Sequence, residues 1–164
     1  MSEPRVNELL AVALEVLEDE GLENLGVGTI SRRAGIKPPS LYKQFASKAD
    51  IEQQLAEAGF RLWETELAAA SAALPDDAPR RDRIAALAHA YRALGLAHPQ
   101  LFRLMNERST GIDHGVLFPS LTAGMSFWAW GHGILVLEIA GRFPPEVDLD
   151  VMWETMIDSV SAVT

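Results

Sequence analysis

Between Val27 and Lys48 the chain carries Arg32, Arg33, Lys37, Lys43 and Lys48 and no acidic residue. Clustered cations of this kind suit a polyanion, because each lysine or arginine neutralises one phosphate and releases its counterions. Gln44 has the paired donor and acceptor that match the adenine edge, and Lys43 suits guanine or a phosphate. Ser40 and Tyr42 add neutral hydroxyl donors for phosphate oxygens. The whole chain has a net charge of −9. What a polyanion feels is the field within about 8 Å at physiological salt, so the local block outweighs the total.

Covalent chemistry has less support. His132 and Glu138 invite a metal or catalytic reading, but they are six residues apart and do not share a helix face. Helix packing, with Gly131 and Gly133 allowing close approach and the imidazole bonded to a neighbour, is the better reading. His89 and His98 occupy unremarkable helix and helix-end positions and read the same way. There is no nucleophile elbow, no phosphate loop and no pair of catalytic acids in a supporting context. There is also no cysteine, which removes disulfides and thiolate metal sites. No catalytic residue, cofactor or metal is expected.

The elements that position these residues read as helices throughout, since β-branched alternation is scarce. A first helix spans Arg5 to Glu20 with Val6, Leu9, Leu10, Ala13, Leu14 and Leu17 on one face. Glu18, Asp19 and Glu20 sit at its C-terminal end, the wrong sign for the macrodipole. Gly21 supplies a left-handed stop. A short helix fits Val27 to Ala34, Gly35 ends it, and a third covers Pro39 to Phe45 with Pro39 in its first turn. Ile30, Ala34, Ile36, Leu41 and Phe45 lock these two together. Lys37, Pro38, Ser40, Lys43 and Gln44 stay outward. Two short helices around a glycine turn describe a helix-turn-helix, whose second helix fits the major groove of DNA.

Ser47 then opens a long helix to Ala73, with Ser47-Lys48-Ala49-Asp50 as a capping box in which Asp replaces the longer acid. Ile51, Leu55, Ala58 or Gly59, Leu62 and Leu67 form its stripe. Leu74 to Pro79 is a break. Further helices follow over Pro79 to Ala97, with Ile84, Leu87, Ala88, Tyr91 and Leu94 inward, and from Pro99 to about Glu107. Ser109 to Pro119 reads as a loop. Ser120 to Gly141 is an apolar helix, and Asp148 or Asp150 caps a last helix to about Val163. The fold expected is all-α, a helix-turn-helix domain over 1–47 joined by a long helix to a bundle within 48–164. The N-terminus lacks a signal-peptide core, and no apolar run is long enough to span a bilayer. A cytoplasmic protein without membrane contact is the expectation.

The stretch Ala13 to Asp50 resembles the DNA-binding domain of the TetR family of transcriptional regulators. The resemblance lies in Gly21, in Ile30-Ser31-Arg32-Arg33-Ala34-Gly35-Ile36, and in Leu41-Tyr42-Lys43-Gln44-Phe45 followed by Ser47-Lys48. It implies that Tyr42 and Lys48 hold phosphates with Ser40 beside them, and that Lys37, Pro38, Pro39, Lys43 and Gln44 face the groove. Two positions depart from the family. Gly26 stands where Thr or Ser usually caps the second helix, which leaves Thr29 to contact phosphate. Pro38-Pro39 removes two donors, so base reading leans on thymine methyl groups and on Gln44.

His98-Pro99, Leu101 to Met105, Trp128-Ala129-Trp130-Gly131-His132-Gly133 and Leu137 to Phe143 resemble the TetR-type C-terminal domain known for its Trp-His-Gly signature. That likeness implies effector binding and dimerisation, with about one helix fewer than the family pattern between Asn106 and Met125. Trp128 and Trp130, two residues apart, diverge, one to a pocket and one to the core or a dimer seam. Phe60, Trp63, Tyr91, Phe102, Met105 and Trp128 are the candidate lining of an apolar effector pocket. The helices on either side of Phe143 would pair with their copies in a homodimer. The function implied is a regulator of double-stranded operator DNA, a repressor released by a small apolar ligand. The alternative is a ligand-binding helical protein that acts through a protein partner, with a vestigial DNA head.

Overall fold

The computed structural model describes residues 3–108 and 121–162. Among these residues every regular element is helical. They are α1 (Glu3–Glu20), a 3-10 turn (Leu22–Asn24), α2 (Val27–Arg33), α3 (Pro38–Tyr42), α4 (Lys48–Ala72), α5 (Arg80–Ala97), α6 (Pro99–Arg108), α7 (Leu121–Ile139) and α8 (Leu149–Ser161). An N-terminal helix-turn-helix followed by a helical C-terminal part is the fold expected from the helical periodicity. The loop expected over Ser109 to Pro119 lies outside the described residues, as does most of the segment expected to be short of a helix. No described helix is long and apolar enough to cross a membrane.

Packing gathers the chain into two compact units. The first holds α1 to α3, the N-terminal part of α4 through Leu62, and α6. The second holds Trp63 to Ala97, which includes α5, together with α7 and α8. The membership of α6 is a feature that reading along the chain does not suggest, because α5 intervenes.

The core of the first unit contains Leu9, Ala13, Val16 and Leu17 of α1, Leu25, Ile30, Leu41 and Phe45 of the head, and Ile51, Leu55 and Ala56 of α4. Val16 is fully buried, a position the expected stripe omits, because the face that meets α2 lies beside the face that carries Leu10 and Leu14. Those two are half-buried and line a groove of about 230 Å³ with Leu55, Ala58, Leu62 and Leu101. On α6, Leu101 and Met105 crowd Gly59, where an added Cβ would lie 2.6 Å from the Met105 sulfur. Glycine is what lets α4 and α6 approach this closely.

In the second unit Ile84, Leu87, Ala88 and Tyr91 of α5 face Phe127, Ile134 and Leu135 of α7 and Trp153, Met156, Ile157 and Val160 of α8. Gly95 rather than Leu94 carries the α5 seam, since a Cβ there would meet Leu135 at 2.5 Å. Arg92 ties the three helices together. Its guanidinium donates to both Glu138 oxygens, at 2.7 to 3.1 Å, and to Asp150 at 2.6 Å. It also lies 5.6 Å from the centre of the Trp153 ring, and the Trp153 indole donates to Glu138 at 3.0 Å. Asp148 caps α8 by accepting the Asp150 and Val151 N–H groups.

Candidate nucleic-acid interface

The geometry of the head begins with its turn. Gly35 has φ +65°, the left-handed conformation that ends α2 without a Cβ clash. The Ile36 N–H then reaches the Ser31 carbonyl at 2.9 Å and the Ala34 N–H reaches Ile30 at 2.8 Å. Gly21 also has positive φ, but its ψ of 168° is extended. It is therefore a glycine-only corner rather than the left-handed stop expected, and it feeds the 3-10 turn directly.

Lys37 caps α3 through its backbone, and both prolines occupy the first turn, Pro38 ahead of Pro39. Neither has an N–H to leave unsatisfied there. The helix is shorter than expected. It ends at Tyr42, and Phe45 is buried just beyond it through a backbone bond from its N–H to Leu41 at 3.0 Å. Ile30, Leu41 and Phe45 are buried and hold α2 against α3, while Ala34 and Ile36 are half-buried.

This clamp leaves Lys37, Pro38, Pro39, Tyr42 and Lys43 exposed on one side, with Ser40 half-buried among them. Tyr42 is 57% exposed, unusual for an aromatic side chain and suited to a phosphate contact made by its hydroxyl. Gln44 is half-buried, and its side-chain oxygen is enclosed without a hydrogen-bond partner. Bidentate reading of adenine by Gln44 therefore requires that amide to turn outward. Thr29 is half-buried and its hydroxyl accepts a bond from Arg32 at 3.4 Å. Arg32, exposed at the end of α2, is a cation of this surface that the sequence reading left out of its site.

Two of the five cations have other duties. Arg33 is bonded to Asp19 at 2.8 Å and to Glu20 at 2.9 Å. These acids, bonded to Arg33 first through Asp19, raise its pKa. The acidic C-terminal end of α1 thus holds α2, and the cost expected from its unfavourable dipole is offset by bonds to neighbours. Lys48, 43% exposed in its side chain, donates to the Leu22 carbonyl at 2.9 Å and lies 3.7 Å from Glu52. The capping box that starts α4 is altered as well. Ser47 accepts the Asp50 N–H at 3.1 Å, but Asp50 reaches back to the Ala46 N–H at 2.7 Å, one residue earlier than the usual pattern. Hydrogen bonds from Gln54 and from the Ala46 backbone hold the Asp50 carboxyl below the usual carboxylate range.

The candidate effector residues divide between the units. Phe60, Phe102 and Met105 belong to the first unit, Phe60 half-buried and the other two buried. Trp63, Tyr91 and Trp128 belong to the second, where Trp63 and Tyr91 are buried and Trp128 is half-buried. His132 joins this second group. Its Nδ1 lies 3.2 Å from the Tyr91 hydroxyl, and its ring stacks on Trp128 with centres 5.2 Å apart. Burial lowers the His132 pKa and raises that of Tyr91. Among the described residues no group of three potential ligands is placed to hold a metal ion. His89, read from sequence as unremarkable, pairs with Glu154 at 3.1 Å, and Arg81 bonds Glu154 and Asp158 at 2.6 and 2.7 Å.

The outer face of α7 is uncharged. Met125, Ala129, Trp130, Val136 and Leu137 recur on it at helical spacing and are exposed. On α8, Val151 is 59% exposed. Beside it the Thr155 and Ser159 hydroxyls bond carbonyls one turn back, at 2.7 and 2.8 Å.

Comparison with known proteins agrees with this geometry. Residues 9–55 match the family model of bacterial regulatory proteins of the tetR family. No curated protein matches the chain by sequence. Among solved structures, a protein of unknown function from Rhodococcus sp. RHA1 is 24% identical with a TM-score of 0.78, over 98% of this chain and 94% of its own. TetR from Acinetobacter baumannii AYE is 19% identical with a TM-score of 0.70, over 96% and 95%. A variant of that TetR in complex with minocycline gives a TM-score of 0.69 at 19% identity, over 99% and 95%. The described residues therefore have the fold of tetR-family regulators.

Proposed function

We propose that this chain is a sequence-specific DNA-binding transcriptional regulator of the tetR type. The observation that carries this reading is the exposed row Lys37, Pro38, Pro39, Tyr42 and Lys43, presented by α3 on a buried Ile30–Leu41–Phe45 clamp. The family match over the same residues supports it. Thr29, Ser40, Tyr42 and Lys48 contact phosphates, and Lys37, Pro38, Pro39, Lys43 and Gln44 face the bases. Residues 1–47 are the reading head and 48–164 the effector and dimer domain.

The finer reading is a cytoplasmic homodimeric repressor released by a small apolar ligand. The uncharged outer face of α7 supports pairing with a second copy, because a contiguous apolar patch marks an interface. The hydroxyls of α8 are satisfied within their own helix, so that helix buries its outer side without orphaned donors. Trp63, Tyr91 and Trp128 supply aromatic surface for an effector in the second unit. The related fold of TetR with minocycline supports a ligand-responsive role. A hundredfold loss of DNA affinity on effector binding requires about 2.7 kcal/mol of coupling.

In vitro selection of duplexes by the purified protein tests this. The expected result is a pseudo-palindrome with half-site centres about 34–36 Å apart, bound with an affinity that falls steeply with salt. Absence of any selected sequence and of any salt dependence overturns the DNA-binding reading and leaves a ligand binder that acts through a protein partner.

A further inference from the structure

Glu52 is the most buried charged residue among the described residues, at 6% exposure. It lies one helical turn after Lys48 on α4, and its carboxylate faces two cations. One oxygen takes the Arg108 guanidinium, from the last turn of α6. The other is 3.7 Å from the Lys48 ammonium, outside hydrogen-bond reach. A buried carboxylate is costly unless paired, and Arg108 supplies that pairing. Lys48 gives its hydrogen bond to the Leu22 carbonyl and keeps only a long ion pair with Glu52.

We propose that Arg108 is a positioning residue for DNA binding: by holding Glu52 it keeps the Lys48 charge available to a DNA phosphate. The inference rests on the reading of the head as a DNA-binding module. Without Arg108 the desolvated Glu52 carboxylate has Lys48 as its remaining counter-charge. The long Lys48–Glu52 ion pair of 3.7 Å then shortens to a hydrogen-bonded one, and Lys48 is lost to the phosphate. The last turn of α6 therefore sets a phosphate contact at the start of α4.

The test is a salt titration of duplex binding with wild type, Arg108→Gln, Glu52→Gln/Arg108→Gln and Lys48→Ala, on the duplex selected by the wild type. A dimer presents Lys48 to both half-sites, so loss of this contact removes two phosphates, lowers the log–log salt slope by about 1.8 and weakens binding about thirtyfold at 0.15 M salt. Arg108→Gln is expected to show both changes. Glu52→Gln/Arg108→Gln is expected to regain the wild-type slope, which simple damage to packing does not produce. Arg108→Gln added to Lys48→Ala is expected to change the slope no further.

A readout independent of DNA is the rate at which an amine-reactive reagent labels Lys48 in the folded proteins, followed by mass spectrometry. The rate is expected to fall severalfold in Arg108→Gln and to recover in the double variant. An unchanged slope in Arg108→Gln, or a double variant as weak as the single one, overturns the proposal. If the wild type binds no duplex, the DNA reading fails instead. The labelling rates then decide the Arg108–Glu52–Lys48 coupling alone, and equal rates in all variants overturn it.

Discussion

The Glu18 carboxylate of α1 accepts the Leu101 backbone N–H of α6 at 2.9 Å, with its second oxygen on the Gln100 N–H at 3.1 Å. The first turn of a helix has N–H groups with no partner inside the helix, and here a residue 83 positions away supplies one. The negative charge also meets the positive end of the α6 dipole. Glu18→Ala is expected to cost about 1–2 kcal/mol in urea unfolding. Glu18→Gln keeps an acceptor and loses the charge, so its cost is expected to be smaller. Equal losses in the two variants would place the effect in the bulk of the side chain and not in the cap.

Arg33 and Lys43 separate charge that builds the head from charge proposed to meet DNA. Both count equally in the basic block between Val27 and Lys48. In the structure Arg33 is bonded to Asp19 and Glu20, whereas Lys43 is exposed beside α3. Lys43→Ala, which removes one contact from each half-site of the proposed dimer, is expected to lower the salt slope of DNA binding by about 1.8. Arg33→Ala is expected to leave that slope unchanged and to lower stability only slightly, since the pair is at the surface. A slope change in Arg33→Ala equal to that of Lys43→Ala would falsify the division.

What was legible along the chain follows from the range of each interaction. The helices of the head, the Gly35 turn and the Ile30–Leu41–Phe45 clamp are set by neighbours within a few turns, and periodicity with turn chemistry finds them. The partners of Glu18, Arg33, Glu52 and Arg92 lie 13 to 83 residues away, and periodicity carries no information about them. Without those partners the acids ending α1 read as a dipole penalty. Val16 escapes a single stripe for a related reason, because one stripe describes a helix packed on one side and α1 meets α2 as well as α6. The bonds of Glu138 to Arg92 and Trp153 likewise come from other helices.

The Arg92–Glu138 pair is expected to matter more than any surface ion pair of the second unit. The Glu138 side chain is 9% exposed, and removing its partner leaves a buried charge alone. Arg92→Met is expected to cost about 3 kcal/mol in thermal or urea unfolding. Arg92→Lys keeps the charge but not the planar fork that reaches Glu138 and Asp150 together, so a loss of about 1–2 kcal/mol is expected. A lysine variant as stable as the wild type would show that charge alone, without geometry, secures α7 and α8 to α5.

His132 gives the second unit a defined pH response. Burial lowers its pKa below the ordinary 6.5, so the fold disfavours the protonated ring. Its contribution is complete above about pH 6.5, the unfolded value. It is lost as pH falls from there toward the lowered folded value. Glu154, lowered chiefly by its bond to Arg81, loses its contribution only below its ordinary value of 4.5. Chemical denaturation at a series of pH values is expected to show a decline between these two ranges that His132→Gln abolishes. If the decline persists unchanged in His132→Gln, another group carries it.

Trp130 and Val136 test the proposed pairing of the second unit with a second copy. Both are more than 40% exposed on the uncharged face of α7, and burying a large apolar side chain yields about 1.5–3 kcal/mol. A symmetric interface uses each residue twice, so one substitution acts on two contacts. Trp130→Glu is expected to raise the dimer dissociation constant at least a hundredfold in sedimentation equilibrium, because it removes two apolar contacts and brings two like charges into one seam. Lys43→Glu, on the head, is expected to leave dimerisation unchanged while weakening DNA binding. A Trp130→Glu protein that remains dimeric at micromolar concentration would move the interface off this face of α7.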